Sequence, residues 1–337
     1  MSTTNGDTPA IRVTSLHRSF GTLKAVDGVT FEIPKGQVVG FVGANGAGKT
    51  TTMRILATLD YPSTGTVEIL GIDVVDYPAE VRKILGWMPD DFGTYEYMTV
   101  AEYLDFFARA LGFKDEERIQ RIRDVMEFTE LDKLADRLIN KLSKGMGQRL
   151  CLGRALIHDP EVLILDEPAA GLDPKARVEL KHLIRILAEE GKTIFISSHI
   201  LSELGEMCDA LLFINNGQIV HHGSADDLKK HKDTGLLVDV VMNAEAAKLE
   251  EWAALSPHVR FIDSKKNGGR IEIDSNEPEI VASVLKKMVN DGLPVIEFHR
   301  EERNLEDAFI EIVGNLEREA EQKKAALTPP EIPTTTS

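Results

Sequence analysis

Cysteine is nearly absent from this chain of 337 residues, with only Cys151 and Cys208. Two are too few for a disulfide framework and fit a reducing cytosol. Long apolar runs are missing too: Val38–Val42 and Val162–Leu165 fall far short of the ~20 residues needed to cross a bilayer. Met1–Ala10 is polar and lacks the apolar centre of a signal peptide. Basic residues are outnumbered, 39 Lys+Arg against 55 Asp+Glu for a formal charge of −16, which argues against nucleic acid as the main partner. What is present is ordinary globular composition, 42% hydrophobic and 28% charged. It excludes collagen, mucin and wholesale disorder, and the length suits about two domains. A soluble, intracellular, acidic protein is expected.

The ends carry little that could be buried. Residues 1–10 are Ser/Thr/Asn/Gly-rich, and 317–337 run into a tail where Pro329, Pro330 and Pro333 bar a helix, so both are expected to be disordered. From Ile11 to about residue 230 the pattern is α/β. Short unalternated apolar runs at Gln37–Val42, Val162–Leu165 and Thr193–Ser197 suit a parallel sheet covered on both faces. Ile11–Val13, Val29–Ile33 and Val67–Ile69 alternate more and read as a separate antiparallel layer. A helical arm is expected over about 94–142, with Tyr103, Phe106, Phe107, Ala110 and Leu111 on one face. Residues 235–315 follow the order β-α-β-β-α-β of a ferredoxin-like domain, with Asn267-Gly268-Gly269 as a hairpin turn.

Two elements carry phosphate chemistry. Gly43-Ala44-Asn45-Gly46-Ala47-Gly48-Lys49-Thr50 matches G-x-x-x-x-G-K-[ST] between an expected strand and a helix beginning near Thr51. Its glycines let backbone N–H groups turn inward around phosphates, and the helix N-terminus adds a positive dipole end. Lys49 would sit beside the β/γ oxygens, and the Thr50 hydroxyl can ligate Mg²⁺. In Val162–Glu167 an apolar strand ends abruptly in Asp166 and Glu167. Buried carboxylates need compensation, which a metal held by Asp166 would supply, leaving Glu167 to take a proton from water. Taken alone, that strand end could equally carry two solvated acids.

At this point the sequence resembles the ATP-binding cassette of ABC transporters, exporter type. Leu142-Ser143-Lys144-Gly145-Met146-Gly147-Gln148-Arg149 is similar to the family's L-S-G-G-Q-x-Q-R signature, and Ser143 precedes Asp166 by 23 residues. Ala169–Pro174 looks like the D-loop, His199 stands at the switch histidine, and Phe20 at the aromatic that stacks on adenine. The departures are Asp90 at the usual glutamine position, Lys144 at a glycine and Met146 at a glutamine. Ser143 could also simply cap its helix, His199 and Phe20 could be core, and Asp90 could belong to an acidic loop.

The resemblance implies an α/β P-loop NTPase of ABC-cassette type, with a parallel core, an antiparallel β layer and a helical arm. A smaller C-terminal α+β domain would follow. It implies ATP and Mg²⁺ as cofactors, with Glu167, His199 and Lys49 catalytic. Phe20, Gly43, Asn45, Gly46, Gly48, Lys49, Thr50, Thr51, Ser143 and Gly145 would bind nucleotide, and Thr50, Asp166 and Asp90 would serve the metal. Two cassettes, expected to be identical, would close head to tail around two ATP molecules. With no spanning segment, a separate membrane permease is the implied partner, and the chain would sit on the cytoplasmic face. Asn304–Phe309 looks like the tail of exporter-type cassettes. The alternatives are a soluble cassette ATPase acting on ribosome or DNA, and a nucleotide-gated interaction module. The single cassette and the 117 residues from Lys49 to Asp166 disfavour the first, and Glu167 with His199 the second.

Overall fold

The computed structural model describes residues 8–224 and 235–300, apart from 92, 94, 96 and 206. The chain divides into two compact units that part between residues 225 and 226. The expected tail at 317–337, most of the expected N-terminal disorder and the Asn304–Phe309 pattern lie outside the described residues. Order nevertheless begins before Ile11. Ala10 is fully buried, donates its N–H to Ile33 O (2.8 Å) and accepts from Leu70 N (2.9 Å), because it extends the first strand's ladder.

In the first unit, β1 (Ile11–Phe20) and β2 (Leu23–Ile33) form a long hairpin. With β4 (Thr64–Ile69) and β5 (Ile72–Asp73) they make an antiparallel sheet in the order β2-β1-β4-β5. The second sheet contains β3 (Val38–Val42), β6 (Leu85–Met88), β7 (Val162–Leu165), β8 (Thr193–Ser198), β9 (Ala210–Asn215) and β10 (Gln218–Gly223). Its order is β10-β9-β3-β8-β7-β6. All neighbours are parallel except the β9–β10 hairpin. Every residue of β3, β7 and β8 is buried, which explains the unalternated runs. The two sheets share one core, where Phe41 and Phe195 stand 5.0 Å apart and Phe31 of β2 lies 5.6 Å from Phe195.

The strands are joined through α1 (Lys49–Leu56), α2 (Pro78–Ile84), α5 (Lys144–Leu156), α6 (Pro174–Glu189) and the single turn α7 (Leu201–Leu204). The arm is α3 (Val100–Ala110), α4 (Asp115–Phe128) and two 3-10 turns. A capping box starts α3: Glu102 N donates to Thr99 Oγ1, and Thr99 N donates to the Glu102 carboxylate at 2.8 Å. These bonds hold the Glu102 carboxyl below its ordinary range. Of the expected stripe Tyr103 is buried, but it is joined by Val100, Leu104 and Ala108, while Phe106 and Leu111 stay 49% and 43% exposed. Val100 and Leu104 also obey the i, i+4 spacing, and Tyr103 is drawn inward because its hydroxyl accepts from Arg154 Nη1 (3.1 Å).

The second unit follows the expected order: β11 (Leu236–Met242), α8 (Ala246–Ala254), β12 (Val259–Lys265), β13 (Gly268–Ile273), α9 (Pro278–Asn290) and β14 (Val295–Arg300). The antiparallel sheet order β12-β13-β11-β14 is that of a ferredoxin-like fold. Its core joins Val238, Val240 and Ile271 to Trp252 and Met288. The hairpin turn is Lys266-Asn267, not the glycines, which lie in β13. Gly268 has φ +134 and approaches β11 so closely that a Cβ would collide with Val240 O; glycine is needed there to admit the neighbouring backbone.

Candidate active site

The loops at the C-terminal ends of β3, β8, β7 and β6 bring distant residues into one row, as parallel sheets do. After β3, the chain turns into α1 with Gly46 at φ +80 and Gly48 at φ +109. A Cβ on Gly48 would lie 2.5 Å from Ala25 O, so both conformation and space demand glycine. Lys49 opens α1 and is 5% exposed. Its ammonium donates to Gly43 O (2.7 Å) and Ala44 O (3.3 Å) and lies 3.3 Å from Glu167 Oε1.

At the end of β7, Asp166 is fully buried. The Ser197 hydroxyl on β8 donates to Asp166 Oδ1 (2.7 Å) while accepting from Glu167 N (2.8 Å). One serine thereby fixes both acids. Burial raises the Asp166 pKa, with Asp90 and Glu167 pushing the same way, against the Ser197 and Thr50 hydroxyls. Asp166 Oδ2 has no hydrogen-bond partner among the described residues. Glu167 adopts φ +47, a left-handed conformation that costs a residue with a Cβ about 1–2 kcal/mol. Its Oε2 lies 2.8 Å from His199 Nδ1. A carboxylate can only accept, so Nδ1 carries the hydrogen.

A cleft of about 520 Å³ runs past these groups, a volume ordinary for ligand sites. Asn45, Gly46, Gly48, Lys49, Thr50 and Thr51 line it from the glycine-rich loop, together with Asp90, Glu167 and His199. Phe20, 49% exposed, also lines it, with Leu23 and Ala25. That exposure decides against Phe20 as core. Asp166, fully buried, and Gly43, the lysine's acceptor, do not line the cleft.

Ser143 and Gly145 are not on the cleft wall, although the intervening Lys144 is. The Ser143 hydroxyl accepts from Met146 N (3.4 Å) as the cap of α5. Gly145 faces α6, where a Cβ would stand 2.8 Å from Ala176 Cβ. Ser197 was missed by the sequence reading, although two polar residues ending an apolar strand are the signal that could have found it.

No three or more His, Cys, Asp or Glu are grouped as a metal cage among the described residues. The unpartnered Asp166 oxygen beside the Thr50 hydroxyl nevertheless fits a magnesium ion. Such an ion would take its remaining ligands from phosphate oxygens and water rather than from protein.

The ABC transporter family profile matches residues 26–170. The Nod factor export ATP-binding protein I of Ralstonia nicotianae is 32% identical over 310 residues, 92% of this chain and 95% of its own length. The bacitracin transport ATP-binding protein BcrA of Bacillus licheniformis is 35% identical over 306 residues, 90% of this chain and 97% of its own. The chain belongs to the ATP-binding proteins of ABC transporters. Two solved structures are similar to it. An ATP-binding subunit of an ABC transporter is 29% identical at TM-score 0.60, over 66% of this chain and 92% of its own. A dimeric bacterial ABC transporter cassette is 25% identical at TM-score 0.59, over 64% and 98%. The cassette binds and hydrolyses ATP. No helix among its described residues is long and apolar enough to cross a membrane.

Proposed function

We propose that this ATPase powers export through a separate membrane permease, as one of two cassettes that close head to tail around two ATP molecules. The observation that carries the reading is the single cleft where Lys49, Glu167, His199 and Asp90 converge from four parallel-strand ends. Export is supported by relatives named for Nod factor export and bacitracin transport, whose likeness runs over about nine-tenths of this chain.

Within the site, Glu167 accepts the proton of the attacking water, held by His199 Nδ1 at 2.8 Å. Lys49 exchanges its contacts with Gly43 O and Glu167 for phosphate oxygens, and His199 bears on the γ-phosphate. Mg²⁺, held by Thr50, Asp166 and Asp90, would supply neutralising charge at the β- and γ-phosphates. Ser143 and Gly145, which do not line their own chain's cleft, serve the ATP of the partner cassette, which we take to be a second copy. Residues 11–230 form the cassette, the arm and the Asp90 loop receive the permease, and 235–315 form an accessory domain. The complex lies on the cytoplasmic face of the membrane.

The test is to isolate tagged Glu167→Gln protein from gently solubilised native membranes with ATP and Mg²⁺. A co-purifying polytopic protein is the expected result. Ribosomal proteins or DNA, with no membrane protein, would overturn the transport reading and leave the ATPase intact.

A further inference from the structure

We propose that Arg18, anchored by Asp60, is a positioning residue that braces the nucleobase platform; this rests on the ATPase reading above. Phe20 presents an exposed ring to the cleft. The guanidinium carbon of Arg18 sits 4.4 Å from that ring's centroid, within cation–π range. Phe20 lines the cleft and Arg18 does not, so the part of the ring that meets the cleft is left for a base by the guanidinium of Arg18. Its Nη2 donates to Asp60 Oδ1 at 2.8 Å, and the two side chains are only 23% and 20% exposed. Its Nε is buried without a hydrogen-bond partner among the described residues. The guanidinium is therefore held by the ring on one side and the carboxylate on the other.

The anchor's position gives the pair its meaning. Asp60 lies just beyond the C-terminal end of α1, the helix whose first residue is Lys49. The Arg18–Asp60 pair therefore ties β1, which carries the base platform, to the helix that carries the phosphate lysine. Base and phosphate subsites come to a fixed separation before ligand arrives. An exposed aromatic that must be immobilised on binding weakens association, whereas one already held does not.

The measurement compares MgATP with inorganic tripolyphosphate, which offers phosphates and no base. Binding of both is determined by calorimetry for wild type, Arg18→Ala, Arg18→Met and Asp60→Asn. Arg18→Met keeps the side chain's bulk, and Asp60→Asn keeps an acceptor for Tyr61 N, which Asp60 Oδ1 now receives at 2.8 Å.

MgATP affinity is expected to fall about three- to tenfold in all three variants, with tripolyphosphate affinity unchanged. The loss should appear in KM far more than in kcat. It should also vanish on a Phe20→Ala background, since a missing ring cannot be braced. Equal losses for both ligands would mean that the pair only supports the scaffold. No loss, or a loss that adds to that of Phe20→Ala, would equally overturn the proposal. Wild-type protein that binds tripolyphosphate but neither binds nor cleaves ATP would instead refute the ATPase reading itself.

Discussion

Replacing Glu167 by glutamine removes one negative charge and no volume. In the present geometry Glu167 Oε2 meets His199 Nδ1 at 2.8 Å, and Oε1 lies 3.3 Å from Lys49 Nζ. The amide oxygen of glutamine can still accept from His199. Lys49 keeps its bonds to Gly43 O and Ala44 O, so no buried cation is orphaned, and a stability change of about 1 kcal/mol or less follows. The proton acceptor, however, is lost. A positioned general base contributes about 10²–10⁴ in rate, roughly 2.7–5.5 kcal/mol of barrier. ATP affinity should hold or rise, because Lys49 no longer divides its charge between Glu167 and phosphate. Single-turnover hydrolysis of MgATP separates the two effects, with nucleotide affinity measured alongside and light scattering reporting an ATP-dependent dimer. A kcat within threefold of wild type, with intact binding, would refute Glu167 as the base. A large loss of affinity would show that the glutamate acts in binding.

Asp166→Asn should stabilise the ligand-free protein near pH 7 by about 1 kcal/mol while abolishing hydrolysis, because it removes a buried charge with an unpartnered oxygen. Burial raises this carboxyl's pKa in the fold, so the protonated form favours folding below the unfolded carboxylate range, about 4, and that contribution is lost as pH rises from there through the raised folded value. The gap in thermal midpoint between variant and wild type should therefore shrink as pH is lowered towards that range. Gly48→Ala must accept φ +109 and a Cβ 2.5 Å from Ala25 O; a loss of about 2 kcal/mol or more in urea unfolding is expected, together with weakened ATP binding. Burial pushes the Cys151 thiol up to about 11 and that of Cys208 higher still. Iodoacetamide at pH 8 should leave the fully buried Cys151 unmodified in native protein and alkylate it in urea, while the half-buried Cys208 is slowed less. Rapid native alkylation of Cys151 would contradict its burial beside Arg154.

The phosphate site was legible because its chemistry is local. A glycine loop, a lysine and a helix start are contiguous in sequence, and strand-end acids betray themselves against an apolar run. The second unit's order of strands and helices along the chain was legible from periodicity of two and 3.6. The strands β6, β9 and β10 were not identified, since short runs at a sheet's margins carry weak periodic signals. The buried face of α3 was only partly read for a related reason: Val100, Leu104 and Ala108 satisfy the same spacing as the expected stripe, and Tyr103, common to both sets, is held by Arg154, 51 residues away.

Composition and motif order by themselves determined that this chain handles nucleotide triphosphate on an α/β scaffold, because loop, lysine and carboxylates need only their own neighbours to be recognised. Only the tertiary structure decided that Ser197 holds both acids, that His199 meets Glu167, and that Arg18, paired with Asp60, lies against the Phe20 ring. These depend on which strands lie side by side. Hydrogen bonds and ring contacts reach only a few ångströms, and strand order, not sequence distance, sets what falls within them.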